Sequence, residues 1–239
     1  LPQYERMFTE AMDSAEQPLW KNGTVLPHAP SLSVVVSSMG HGRSQVSLEH
    51  LACFSGGMMA LGSRIVPDRR HYLNIARMTT ETCYWGYNSS LTGLGAEALE
   101  FYHPQDKDMY RVVTEADGTR HRGPPVGDPF VGVRYIWHED YRNRPEVIES
   151  VLYMWRTTGD PVWQERGWQM FASWMTHCLT RSGTSTIYDV NAVPVRHSDS
   201  MERFVLAETY KYYYLLFSPP DRVSLDDVVV STEAHPILL

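Results

Sequence analysis

The chain is poor in cysteine, short of positive charge and free of long apolar runs. Cys53, Cys83 and Cys178 are its only 3 cysteines, too few for a disulfide scaffold and without the spacing of a zinc site. One bridge at most is possible, and the residues by themselves leave Cys53 and Cys83 open as a closed loop or as two buried thiols. Against 28 Asp and Glu stand 21 Lys and Arg, a net charge of -7. That balance excludes a sequence-independent nucleic-acid binder, whose positive charge must follow the phosphates. No run of about 18 apolar residues occurs, so no membrane contact is expected of this segment. Residues 1–20 lack the charged-then-apolar order of a signal peptide, which places any targeting segment outside them. The G-x-S-x-G, H-E-x-x-H, P-loop and Rossmann fingerprints are also missing. Serine hydrolase, zincin, nucleotide hydrolase and dinucleotide readings lose support with them.

Core-forming material is plentiful: 43% of the 239 residues are hydrophobic, and a chain of this size buries about three quarters of its unfolded surface. Tyr4, Met7, Phe8, Met12 and Ala15 recur at three- and four-residue spacings, predicting an amphipathic helix over 4–19. Residues 32–48 read as two strands around Met39-Gly40-His41-Gly42, the main β element expected. Residues 49–61 are small and apolar, a buried helix in which Gly56-Gly57 lets another backbone approach. Asp68 is placed to cap a helix carrying Tyr72, Ile75, Ala76, Thr79 and Cys83. Residues 103–143, rich in proline, glycine and charge, read as a long loop with room for a short hairpin, of the kind that shapes sites.

A helix over 144–158, ended by Gly159, and another from Asp160-Pro161 to Arg181 predict an αα-hairpin. Ser198 or Asp199 caps an interior helix running to Phe217, and Pro219-Pro220 stops it. The tail from Val228 to Pro236 reads as extended and buried. Successive antiparallel helix pairs with no composition break predict a single all-α toroid or bundle with small β-hairpin elements.

Few groups are placed to do chemistry. Glu146 follows Arg144-Pro145 at a helix start, with Glu149 one turn on. Asn143-x-x-Glu146 fits a capping box, and the same helix dipole keeps a carboxylate ionised, as a general base requires. Glu208 sits one turn after Phe204 on an apolar helix, so an aromatic ring and a carboxylate share a face, a pairing suited to a sugar. Thr232, Glu233 and His235 gather hydroxyl, carboxylate and imidazole near the C-terminus, and His50 precedes the apolar Leu51-Ala-Cys-Phe54 run. Asn22-Gly-Thr24 and Asn88-Ser-Ser90 are N-glycosylation sequons.

Taken in order, His50-Leu-Ala-Cys-Phe-Ser-Gly-Gly, Arg144-Pro-Glu-Val-Ile-Glu-Ser, Met201-Glu-Arg-Phe-Val-Leu-Ala-Glu-Thr and Ser231-Thr-Glu-Ala-His-Pro resemble the class I α-1,2-mannosidases of glycoside hydrolase family 47. The similarity runs across essentially all 239 residues. It implies an (α/α)7 barrel plugged by a C-terminal β-hairpin, and an inverting hydrolase that removes terminal α-1,2-linked mannose from high-mannose N-glycans. By that resemblance Glu146 is the base, while His50, Arg144, Phe204, Glu208 and Glu233 surround the mannose. Thr232 becomes the direct protein ligand of Ca2+, with Glu149 acting on the ion's waters. Cys53 and Cys83 become a disulfide pair, which implies the secretory lumen, either endoplasmic reticulum or Golgi, or secretion.

In that family the catalytic acid and a further catalytic Asp precede the segment matching residue 1. Residues 1–239 are therefore expected to be the C-terminal half of one barrel domain, completed by an N-terminal fragment of the same enzyme. Asn143 stands where the family usually has an apolar residue. The alternative is a mannose-recognising, catalytically weak quality-control protein of the same fold.

Overall fold

The computed structural model describes residues 2–22, 33–35, 37–39, 43–45, 47–101, 112–114, 120–122 and 133–239. Six α-helices carry it: α1 Pro2–Leu19, α2 Phe54–Ile65, α3 Tyr72–Asn88, α4 Glu146–Thr158, α5 Val162–Cys178 and α6 Tyr210–Leu216. Helix α4 is the hub, packing on α2, α3, α5 and α6. Val147, Ile148, Val151, Leu152 and Met154 are all buried, as a helix enclosed by neighbours requires. Gly159 ends it in the left-handed region at φ 68°.

The glycine pair of α2 explains how close α4 can come. A Cβ on Gly57 would stand 2.8 Å from the Tyr153 ring and 3.3 Å from the Ser150 Cα. In that narrow gap the Gly57 N–H donates to Ser150 Oγ, which donates to the Cys53 carbonyl. A disulfide joins Cys53 to Cys83, tying the turn before α2 to α3. Helix α5 buries Trp163, Gly167, Met170, Trp174 and Cys178 along one stripe, the face its spacing predicts.

Strands are short. The largest sheet has three: Ala98–Phe101 lies between Ser47–Glu49 and Val133–His138, all antiparallel. This corrects two expectations. The main β element is not the hairpin of 32–48, and the stretch 103–143 contributes a strand, Val133–His138, beyond the short hairpin expected there, which is Val112–Thr114 with Arg120–Arg122. Ser37–Met39 does pair with Arg43–Gln45, while the Gly40-His41-Gly42 turn lies outside the described residues.

Three further expectations give way. Asp68 does not cap α3; it turns the chain at φ 60°, and His71 precedes the helix with no side-chain cap. The helix expected over 198–217 begins only after Phe204, with a π-turn over Val205–Thr209 leading into α6. It is not wholly interior, since Leu206, Tyr214 and Phe217 are exposed. In the tail, Val228–Val230 pairs with Pro236–Leu238 in a hairpin whose second strand is exposed rather than buried.

Candidate active site

The start of α4 is fixed by the residues just before it. Tyr141 pairs with Ile187 through both backbone groups, and Asn143 turns the chain at φ 60°, a conformation Asn tolerates better than most residues. Asn143 is fully buried: its carbonyl accepts from the Thr209 hydroxyl at 2.7 Å, and its side-chain oxygen accepts from the Trp174 indole at 2.6 Å. The expected capping box is not formed, because Asn143 is committed to these partners and Pro145 holds the cap position. Glu146 thus becomes the first residue of α4, beside unsatisfied backbone N–H groups and the positive end of the helix dipole.

Glu146 Oε2 lies 3.0 Å from His50 Nδ1, with His50 almost entirely buried. Burial alone would raise the Glu146 carboxyl, but the hydrogen bond from His50 and its electrostatic attraction, a backbone hydrogen bond and nearby Arg144 outweigh it. The net effect holds Glu146 below the usual carboxylate range. It is the carboxylate kept ionised.

Arg144 Nε donates to Glu97 Oε2 at 2.5 Å, and its guanidinium lies 5.6 Å from the centre of the Phe204 ring. Glu97 also receives the Arg142 N–H on its other oxygen at 3.2 Å. Its own carbonyl accepts the His50 N–H at 2.9 Å. One residue thereby sets the positions of both His50 and Arg144.

Glu149 Oε1 accepts from the Tyr212 hydroxyl at 3.0 Å. Burial, opposed by that bond and reinforced by Glu146 and Glu208, pushes Glu149 up to about 7. Glu208, buried in the π-turn, is likewise pushed up to about 7 by burial and by the charges of Glu233 and Glu146, with Lys211 and Arg203 opposing. Glu233 lies 3.7 Å from Arg203, and Lys211 donates to the Ala234 carbonyl at 2.8 Å, tying the tail turn to α6. Thr232, in that turn, is exposed. Glu146, Glu149, Glu208 and Glu233 therefore form one chain of mutually repelling carboxylates from three separate parts of the sequence. A cleft of about 680 Å³, lined by Trp137, Asp140, Arg142, Tyr188 and Glu202 among others, meets this network at Arg142, whose N–H Glu97 accepts, and none of the four carboxylates lines it.

The sequence model of Glycosyl hydrolase family 47 matches residues 1–239. The chain belongs to glycosyl hydrolase family 47. It is 35% identical over 235 residues to human mannosyl-oligosaccharide 1,2-alpha-mannosidase IC, a match covering 98% of this chain and 32% of that protein. It is 32% identical over 211 residues to the Drosophila melanogaster mannosyl-oligosaccharide alpha-1,2-mannosidase IA, covering 87% of this chain and 28% of the relative. The fold superimposes on the alpha-1,2-mannosidase from Trichoderma reesei with a TM-score of 0.81 at 27% identity, over 98% of this chain and 47% of that one. The chain thus spans about a third of these curated relatives and about half of that structure.

Within this family 47 chain the sequence-predicted residues fall into two groups. His50, Arg144, Glu146, Phe204, Glu149, Glu208 and Glu233 are linked by hydrogen bonds, a cation–π contact or direct charge interaction. Thr232 adjoins Glu233 in the chain, on the exposed side of the tail turn. Asn88 is exposed at the end of α3, open to modification, whereas the side chain of Asn22 lies outside the described residues. Sequence reasoning missed Glu97, Tyr87 and Tyr141. Glu97 carried one available signal: an acidic residue directly ahead of the apolar Ala98–Phe101 strand, where a solvated charge would be unusual.

Proposed function

We propose that this chain supplies the base side of a calcium-dependent, inverting α-1,2-mannosidase acting on high-mannose N-glycans. The carrying observation is Glu146, held ionised at the start of α4 by buried His50 and flanked by the Arg144–Phe204 pair. An ionised, fixed carboxylate can take a proton from water beneath a sugar ring as that water attacks the anomeric carbon. Arg144 would bind a sugar hydroxyl and Phe204 would stack on the ring's apolar face, while Glu208 and Glu233 would bind further hydroxyls. The neighbouring cleft would take the rest of the oligosaccharide. Inversion needs a second carboxyl roughly 6.5–9.5 Å away to protonate the leaving oxygen. That acid would come from an N-terminal half completing an (α/α)7 barrel, with the tail hairpin as its plug. The share of each relative that this chain spans supports such a half, as do the exposed Trp168, Leu206 and Tyr214, apolar surface that folded domains usually cover.

The residues present fit a calcium ion. The donors are all oxygen, as a hard cation prefers, and buried carboxylates raised to about 7 mark a site short of positive charge. Thr232 would hold the ion through its hydroxyl and carbonyl oxygens, with Glu149 orienting waters around it. When bound, the ion would supply fixed positive charge that holds sugar hydroxyls at the floor of the site. The Cys53–Cys83 disulfide supports an oxidising compartment, the secretory lumen or outside the cell. No helix among the described residues is long and apolar enough to cross a membrane.

The test is Glu146→Gln in the full-length protein, assayed for mannose release from a high-mannose oligosaccharide. Turnover should fall by about two to four orders of magnitude with the fold intact, and the wild-type product should appear first as the β-anomer by proton NMR. Near-normal turnover, or an initial α-anomer, would reject the assignment.

A further inference from the structure

The hydrogen bonding behind Glu146 does not stop at His50. The other imidazole nitrogen, Nε2, lies 2.7 Å from the Tyr87 hydroxyl. The Tyr87 and Tyr141 rings meet edge to face at 5.7 Å, and each also packs against the His50 ring. All three side chains are buried, His50 at 4%, Tyr87 at 2% and Tyr141 at 1% exposure. Neither tyrosine can reach solvent or a bound sugar.

The direction of this chain follows from what each group can do. An ionised carboxylate only accepts, so the Nδ1 facing Glu146 must carry its hydrogen. A neutral imidazole then presents a lone pair at Nε2, and only a donor can satisfy it there. The Tyr87 hydroxyl is that donor. Burial raises its phenol well above the ordinary value, so it keeps the proton it donates.

Covalent structure reinforces the geometry. The Cys53–Cys83 bridge lies three residues after His50 and one helical turn before Tyr87. It locks the two elements that bring the imidazole and the phenol together.

We propose that Tyr87 is a positioning residue for the base: its hydroxyl holds His50 in the Nδ1–H tautomer aimed at Glu146, with the Tyr141 ring packed against both. This deepens the reading of Glu146 as base and rests on it. The opposite tautomer would turn an imidazole lone pair toward the carboxylate and leave Glu146 Oε2 without the His50 donor. With phenylalanine at 87, buried Nε2 would have no donor, and the ring would lose the contact that sets its angle.

The experiment uses the full-length protein labelled with 15N-histidine, its His50 signals assigned by their loss in His50→Gln. The unsubstituted protein should show protonated Nδ1 and a hydrogen-bonded, unprotonated Nε2; a protonated Nε2 with bare Nδ1 overturns the proposal. Tyr87→Phe should shift the Nε2 resonance and lower kcat roughly tenfold or more, with KM nearly unchanged. Unchanged His50 signals, or a loss confined to KM, would overturn it. Where Tyr87→Phe does not fold, the tautomer measured in the unsubstituted protein decides the proposal. An inactive Glu146→Gln beside a normally active Tyr87→Phe rejects the tyrosine's role alone. Normal turnover in Glu146→Gln instead rejects the base, while the tautomer measurement still tests the hydrogen-bond chain.

Discussion

His50 Nδ1 and Glu146 Oε2 meet at 3.0 Å across 96 residues of sequence, one from the turn before α2 and the other from the first residue of α4. Both elements are anchored independently of this contact, by the Cys53–Cys83 bridge and by the Asn143 turn. The pair is therefore positioned by the fold rather than by its own attraction.

The acid limb of the activity profile should report that pair. Glu146 is held below the usual carboxylate range, so the base stays ionised down to acidic pH. In His50→Gln the Nδ1–H hydrogen bond is lost while burial remains, so the carboxyl rises. The acid limb of kcat/KM should move to higher pH by roughly one unit or more. A pH–rate series on the full-length protein checks this, and an unmoved limb would separate His50 from the base.

Glu97 and Arg144 should behave as one unit. Their side chains are 9% and 18% exposed, and removing one partner of such a pair leaves a buried charge without compensation. Glu97→Gln should lower unfolding stability by about 3 kcal/mol. Glu97→Gln with Arg144→Gln should lose distinctly less than the sum of the two single changes. Urea denaturation of the four proteins measures the coupling, and simple additivity would show the contact to be inconsequential.

These two pairs also show where sequence reading succeeds and stops. Helix α4 is legible because Val147, Ile148, Val151 and Leu152 follow helical spacing and Gly159 supplies the left-handed stop. Helix α5 is legible for the same reason. The segment 198–203 is not, since backbone bonds pair Ser198 and Ser200 with Thr186 and hold the chain out of a helix. Local capping residues carry no trace of so distant a partner. Arg144, Glu146 and Glu208 stand out by residue type and neighbours, and the family resemblance adds Thr232. Glu97 escapes because its role depends on lying opposite residues 47 positions away. Tyr87 escapes because a tyrosine inside an apolar helix reads as core until its hydroxyl has a partner.

Opening the disulfide should loosen the site before the whole fold. The bridge closes a loop with a sequence separation of 30, which in the chain-entropy picture contributes about 3–4 kcal/mol. Cys53→Ser with Cys83→Ser should lower the melting temperature, and hydrogen exchange should rise first in 50–53 and the second half of α3. Unchanged exchange there would mean that packing alone holds His50 against Tyr87.

Metal-free protein should lose thermal stability as pH rises toward neutrality. Glu149 and Glu208 have folded values near 7 against an ordinary 4.5, so the folded state retains protons that the unfolded chain releases. Stability from these two groups is fully present below about 4.5 and is lost as pH climbs through about 7. The proposed calcium would act in the opposite sense: a cation beside the carboxylates favours their ionised form and would bind the folded state alone. The melting temperature in chelator should therefore fall between pH 4.5 and 7.5, while the gain on adding calcium grows over the same range. Thr232→Ala should remove most of that gain without altering the chelator curve. Melting curves that coincide with and without calcium at pH 7.5 would reject the cation site, whereas a metal-free curve that rises through the window would reject the crowding of Glu149 and Glu208 around Glu146.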